Sequence, residues 1–120
     1  MASDDEEIPR DAWQKALADF TAEHRGELAT IEVAGLDLGD QLEAEQLPFS
    51  YVEYDRHDDA VSVGVGGLTG KYPVNLRHVV EHPEKVFVHP NGVGSETIEV
   101  RSTDGTVTLV TLTTPAELPA

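Results

Sequence analysis

GLDLGDQLEAEQLP, residues 35–48, is a stretch in which apolar and polar side chains alternate. Leu36, Leu38, Leu42 and Ala44 take even positions, whereas Asp37, Gln41, Glu43 and Glu45 take odd ones. Because successive side chains of a strand point to opposite faces of its sheet, this alternation predicts a half-buried strand with its carboxylates in water. A calcium loop needs oxygen ligands at alternate positions, and the run from Asp37 has glycine at its third position. We therefore interpret the acids as a solvated face.

The two-residue period recurs on both sides of this stretch. Residues 28–36 alternate in the same way, and the pair Asp104-Gly105 between two alternating runs is a strong hairpin signal. Further strands are predicted at SYVEYD (50–55), AVSVGVG (60–66), KVFVH (85–89), TIEVRS (97–102) and TVTLVTL (106–112).

Two segments are predicted as helices. Pro9 suits a first helical turn and Gly26 a helix end, and an apolar stripe with helical spacing lies between them. This predicts an amphipathic helix over residues 9–25, with Trp13 as a core anchor. Pro73 and Pro83 delimit PVNLRHVVEH, which predicts a short helix near residues 74–82. The apolar stripe of the helix predicted over residues 9–25 consists of Ala12, Trp13, Ala16, Leu17 and Phe20.

Together these elements predict an α+β fold, with an N-terminal amphipathic helix packed on a mainly antiparallel sheet of about six or seven strands. Residues 1–8 are predicted to be a disordered acidic tail, and residues 9–120 a single α+β domain. No strand-helix-strand alternation supports a parallel nucleotide-binding sheet.

Charge is the most unusual feature of the composition. The chain has 23 Asp and Glu against 8 Lys and Arg, a formal net charge of -15. This surplus disfavours nucleic acid and anionic membranes as partners, because both attract basic surfaces. It is also typical of proteins from salt-accumulating organisms, since molar salt shortens the Debye length to about 3 Å and mutes self-repulsion. We expect a halophilic protein.

Cysteine is absent, which excludes disulfides, thiolate metal sites and cysteine catalysis. The N-terminal residues MASDDEEIPR show no basic region followed by an apolar run, and no stretch reaches transmembrane length. A cytoplasmic location is therefore expected.

The segment HVVEH, His78 to His82, fits the H-x-x-E-H pattern of inverted zinc peptidases, with Glu81 as the base. That chemistry needs two histidines on one helical face, and Pro83 ends the predicted helix at once. His78, His82 and His89 are therefore only weak metal candidates, and no cofactor is expected.

A second near-match, GVGGLTGKY over residues 64–72, departs from the phosphate loop at Val65 and Tyr72. No serine stands in a G-x-S-x-G elbow. The sequence therefore predicts a protein without catalytic activity.

In so acidic a chain, the locally unusual surface is a basic and histidine-bearing patch near residues 70–89. It is the predicted site for a protein partner, and its residues are Lys71, Tyr72, Arg77, His78, His82 and Lys85.

Several spaced motifs together resemble a family of small prokaryotic proteins classed as a domain of unknown function. They are GLDLGDQLEAEQLP (35–48), YDxxDD from Tyr54, HxxxHP from His78 and IEVxxxDG from Ile98. The resemblance implies no activity, and members of that family have a basic residue where Glu81 stands.

We therefore expect a non-catalytic binding or regulatory accessory protein adapted to high salt. Two alternatives remain open at this point. One is a small metal-dependent hydrolase that uses HVVEH. The other is a self-associating structural protein, because strand 106–114 has apolar residues on both faces and suits a subunit contact.

Overall fold

A computed structural model describes residues 6–35, 39–66, 76–92 and 94–114 of the chain. Within these ranges the chain forms one α-helix, α1 (Trp13–His24), preceded by a 3-10 turn at Arg10–Ala12. The strands are β1 (Glu6–Ile8), β2 (Leu28–Gly35), β3 (Gly39–Asp55), β4 (Ala60–Val65), β5 (Leu76–Glu81), β6 (Pro83–Pro90), β7 (Ser95–Ser102) and β8 (Val107–Thr113). All eight belong to one antiparallel sheet in the order β1-β6-β7-β8-β2-β3-β4-β5.

The predicted α+β class was wrong, because the described chain is mainly β, with eight strands instead of six or seven. The helix predicted near residues 74–82 is the strand β5, which pairs with β4 from Leu76 to Glu81. Prolines bound a strand as readily as a short helix, and the β-branched pair Val79-Val80 favours the strand.

Residues 6–8, placed by the sequence in a disordered tail, form β1. Glu6 pairs with Val88 and Ile8 pairs with Val86, and the side chain of Ile8 packs against the core. Residues 1–5 lie outside the described residues.

The sheet is strongly curled. β5 is the last strand in the sheet order and β6 the second, yet the single residue His82 joins them. Two strands so far apart in the order can be consecutive only if the sheet bends round until they meet. Thr103 N–H donates to His82 O at 3.1 Å across this junction. The curl encloses a core that includes Ile31, Phe49, Val63, Val86, Ile98, Val110 and Leu112.

Helix α1 completes the core and covers an edge of β3. The first part of β3 pairs with β2, whereas residues 49–55 pair only with β4. Along the remaining edge, Thr21 Oγ1 accepts a hydrogen bond from Val52 N–H at 2.9 Å, and Gly26 N–H donates to Phe49 O at 3.0 Å. Trp13 is 1% exposed, which confirms its prediction as a core anchor.

The stretch 35–48 gives a mixed outcome. Glu43 and Glu45 are exposed, as the alternation predicts, but Leu42, predicted to be buried, is 55% exposed. The predicted hairpin at Asp104-Gly105 is confirmed, with Gly105 at a φ of 91° and Thr106 N–H donating to Asp104 Oδ1 at 2.9 Å.

Candidate binding cleft

A cleft of about 390 Å³ lies where β5 faces the turn between β7 and β8. We call it the β5 cleft. Because β5 is the last strand of the sheet order, no strand of the described ranges pairs with its outer edge. The cleft is lined by Val33, residues 78–82, residues 102–104, Thr106 and Thr108.

Two apolar side chains of β5 are exposed beside its open edge. Leu76 is 36% exposed and Val79 is 42% exposed, and Leu42 is the one other large hydrophobic side chain exposed in the described residues. An unpaired strand edge with exposed apolar side chains is a template for pairing with another chain. The local geometry therefore suits the addition of an extended segment.

His78 is half-buried and lines the β5 cleft. Burial lowers the pKa of its imidazole, and the nearby carboxylate of Glu43 opposes that shift in part. The folded protein therefore favours the neutral ring, which offers one hydrogen-bond donor and one acceptor to a ligand in the cleft.

The corner of the cleft is held in a conformation that L-residues adopt rarely. Asp59 and His82 have φ values of 51° and 53°, and His82 N–H donates to Asp59 O at 2.9 Å. The His82 Nδ1 atom also lies 3.4 Å from Asp59 Oδ2. Two left-handed residues in direct contact thus set the angle between β5 and β6.

A polar network ties this corner to the start of α1. Tyr54 Oη donates to Asp59 Oδ1 at 2.7 Å, and Arg10 Nη2 donates to Pro83 O at 2.9 Å. The hydrogen bond from Tyr54 lowers the pKa of the Asp59 carboxyl and raises the pKa of the Tyr54 phenol. The Arg10 guanidinium also lies 4.3 Å from the ring centre of Trp13. The network thus fixes the cleft corner against the core.

The same network borders a second cavity, of about 590 Å³. Arg10 and Arg56 line this cavity, but so does Asp11. Arg10 also pairs with Asp59. The arrangement is therefore a balanced set of charges rather than an anion site. Its lining residues are Arg10, Asp11, Gln14, Tyr54 and Arg56.

Among the residues predicted for partner binding, those within the described ranges do not lie on one face of the sheet. Arg77 and His78 lie on opposite faces of β5, because they are adjacent in a strand. Arg77 Nη2 donates to Ser62 Oγ at 3.4 Å, and Lys85 is exposed on β6. Lys71 and Tyr72 lie outside the described residues. What Arg77 and His78 share is the strand β5, whose outer edge is unpaired in the described ranges.

The weak metal candidates are not brought together either. A strand rises about 3.3 Å per residue, which separates the Cα atoms of His78 and His82 by roughly 13 Å. His82 faces Asp59, and His89 Nε2 lies 2.7 Å from Glu99 Oε1. The helical face that a zinc peptidase needs is absent from residues 78–82, since they run along β5 to its corner.

One group of three metal-ligating side chains occurs in the described ranges, at Glu23, His24 and Glu96. No local sequence motif marks this group or the network of Arg10, Tyr54 and Asp59, because each joins residues from distant segments of the chain. His24 and Glu96, for instance, are separated by 72 positions.

A family model described as Family of unknown function (DUF5335) matches residues 4–120. The chain belongs to this family. The resemblance indicated by the spaced motifs is therefore confirmed. An "Uncharacterized protein" of Aquifex aeolicus (strain VF5) is 25% identical to this DUF5335 protein over 112 residues, which cover 93% of this chain and 95% of the relative. No solved structure matches the chain significantly.

No helix in the described part of this DUF5335 protein has the length and apolar character needed to cross a membrane. Strand 106–114, considered from sequence as a subunit contact, contains β8, which pairs with both β7 and β2. β8 is therefore an interior strand of the sheet, and neither of its edges is open to pair with a second copy of the chain.

Proposed function

We propose that this protein is a non-catalytic binding module that accepts an extended segment of a partner protein as an added strand on β5. The observation that carries the proposal is the open edge of β5, with Leu76 and Val79 exposed beside it. In strand addition, backbone hydrogen bonds supply affinity and pockets for alternate side chains supply specificity. The β5 cleft provides space on one side of the added strand.

Charge favours a basic segment as the occupant. The whole chain carries a net charge of -15, and Glu81 and Asp104 line the β5 cleft. On the other face of β5, a shallow cavity of about 350 Å³ is lined by Asp55, Asp58 and Glu81, with Arg77 the basic residue among them. A partner strand with lysine or arginine alternating with apolar residues turns its basic side chains to one face, where they meet one of these acidic surfaces, and its apolar side chains to the other. A second copy of this chain would bring the same negative charge and be repelled.

Adaptation to high salt is the second part of the proposal. Support comes from the 23 acidic residues against 8 basic ones, which leave many surface carboxylates without a cationic partner. Salt that screens their repulsion favours the compact state.

The binding proposal is tested with a labelled peptide of alternating Lys and Val, using a Glu-Val peptide of equal length as the charge control. We expect the Lys-Val peptide to bind more tightly in a fluorescence anisotropy titration. The double variant Leu76→Ser, Val79→Ser should weaken binding at least tenfold. Leu42→Ser is the matched control, because it removes an exposed leucine from β3, two strands away from β5, and it should bind as the unmodified protein does.

Equal binding of both peptides, or equal weakening by the control variant, would count against strand addition at β5. Light scattering over a range of protein concentrations distinguishes the competing outcome. Growth in mass with concentration, lost in the double serine variant, would identify a second copy of the chain as the occupant of the edge.

A further inference from the structure

The C-terminal end of α1 brings one histidine against carboxylates from three parts of the chain. His24 Nε2 lies 2.7 Å from Glu96 Oε1 on β7 and 3.9 Å from Glu23 Oε2. Its other ring nitrogen, Nδ1, lies 2.9 Å from Glu27 Oε1. The side chain of His24 is 14% exposed, and Glu27 and Glu96 are partly buried beside it, whereas the side chain of Glu23 is exposed.

The number of ring hydrogens limits what this arrangement can satisfy. A neutral imidazole carries one N–H, which can be donated to only one of the two flanking carboxylates. If Nδ1–H donates to Glu27, the Nε2 lone pair faces the oxygens of Glu96 and Glu23. A lone pair that faces two carboxylates is repulsive unless Nε2 carries a second ring proton or a metal ion lies between them.

We propose that His24, Glu96 and Glu23 bind a divalent transition-metal ion of the zinc type, at a site separate from the β5 cleft. The three ligand atoms lie within 4.8 Å of one another, a spacing that one ion can bridge with small side-chain adjustments. Zinc accepts imidazole nitrogen and carboxylate oxygen, and three protein ligands leave a fourth position for water. The imidazole favours zinc over calcium and magnesium, which prefer oxygen.

Two neighbours orient the histidine as metal-binding histidines are oriented. Glu27 holds Nδ1, and a carboxylate in that role fixes the tautomer and directs the other nitrogen at the metal. The Phe20 ring packs against the imidazole with its centre 4.3 Å away, which limits rotation of the ring. Both contacts come from segments that the core already holds in place.

The pair His89 and Glu99 provides the contrast within the same protein. Its nitrogen–oxygen distance is also 2.7 Å, but Arg101 forms an ion pair with Glu99 and supplies positive charge there. Neither residue belongs to a group of three ligands in the described ranges. This pair is therefore a matched control for the three-ligand site.

The test uses chelator-treated protein titrated with zinc chloride by calorimetry. We expect one zinc ion per chain, at least tenfold weaker binding in both Glu96→Gln and His24→Gln, and unchanged binding in Glu99→Gln. Glu27→Gln, which leaves all three ligands in place, should weaken binding about 10-fold or more, as loss of an orienting carboxylate does. Circular dichroism of each variant checks that it is folded.

Cobalt provides a readout of geometry that does not depend on affinity. Cobalt bound through the imidazole should give a visible absorption band that His24→Gln abolishes. Absence of stoichiometric zinc would overturn the proposal, and so would zinc binding that survives in folded His24→Gln and Glu96→Gln. Equal weakening by Glu99→Gln would also overturn it, since that result would indicate adsorption to the acidic surface in general.

Discussion

At the scale of single residues, His82 sets the direction change on which the β5 cleft depends. Its φ of 53° is a region that asparagine tolerates and that β-branched residues strongly avoid. We predict that His82→Val lowers the free energy of unfolding by about 1–2 kcal/mol more than His82→Asn does. Both variants lose the weak contact with Asp59, so the difference isolates backbone conformation. Urea denaturation of the two variants measures it, and equal midpoints would show that the corner relaxes at no cost.

His78 makes a second residue-scale prediction, about pH. Its pKa is lowered in the folded state, so below its unfolded value of about 6.5 the unfolded chain takes up a proton that the folded chain resists. The contribution of neutral His78 to stability is therefore present above about pH 6.5, the pKa in the unfolded chain. It is lost as the pH falls toward the lower pKa of the folded protein. We expect the stability of the unmodified protein, measured relative to His78→Gln, to fall between about pH 7.5 and 5. A difference that stays constant over that range would contradict burial of this ring.

At the scale of elements, the contact between α1 and β3 replaces a missing strand pairing. Thr21 Oγ1 accepts from Val52 N–H, a hydrogen bond that a neighbouring strand would otherwise supply. Thr21→Val keeps the shape of the side chain but leaves this buried donor unsatisfied, at a cost of about 1–3 kcal/mol. Thr21→Ser keeps the hydroxyl and should cost clearly less. Equal losses in thermal or urea denaturation would indicate that packing, and not the hydroxyl, joins helix and strand.

How far the sequence predicts these elements depends on whether the signal is local. The helix at Trp13–His24 and the Asp104-Gly105 hairpin follow from spacing and turn chemistry within a few residues. Residues 76–81 carry no such signal, because a short segment of mixed apolar and charged residues between prolines fits a helix or a strand. Pairing with β4 decides the outcome, and that pairing is a tertiary contact. The strand at Glu6–Ile8 was missed for the same reason, since β6 lies about eighty residues further on.

The sequence predicts a candidate site only where its residues are close together along the chain. The sequence singles out the segment around His78 for its basic and histidine residues, whereas the open edge of β5 depends on sheet order, which no local pattern carries. The group formed by His24, Glu27 and Glu96 joins the end of α1 to β7. Such a contact exists only after the sheet has curled.

At the scale of the whole molecule, the net charge of -15 predicts a strong dependence of stability on salt. Repulsion among the acidic side chains is long-ranged in dilute buffer, where the Debye length at 0.01 M is about 30 Å, and is screened at 1 M. We predict that the melting temperature rises steadily as potassium chloride is raised over this range. Potassium sulfate at equal ionic strength is the control for specific-ion effects. A melting temperature insensitive to both salts would contradict adaptation to high salt.

Hydrogen exchange of the backbone amides of Leu76–Glu81, with and without the Lys-Val peptide, tests whether the outer edge of β5 receives a strand from a partner. We predict that the amides on the open edge exchange slowly once the peptide is bound, while those of the edge strand β1 are unchanged. Saturating peptide that leaves exchange in β5 unaltered would contradict it.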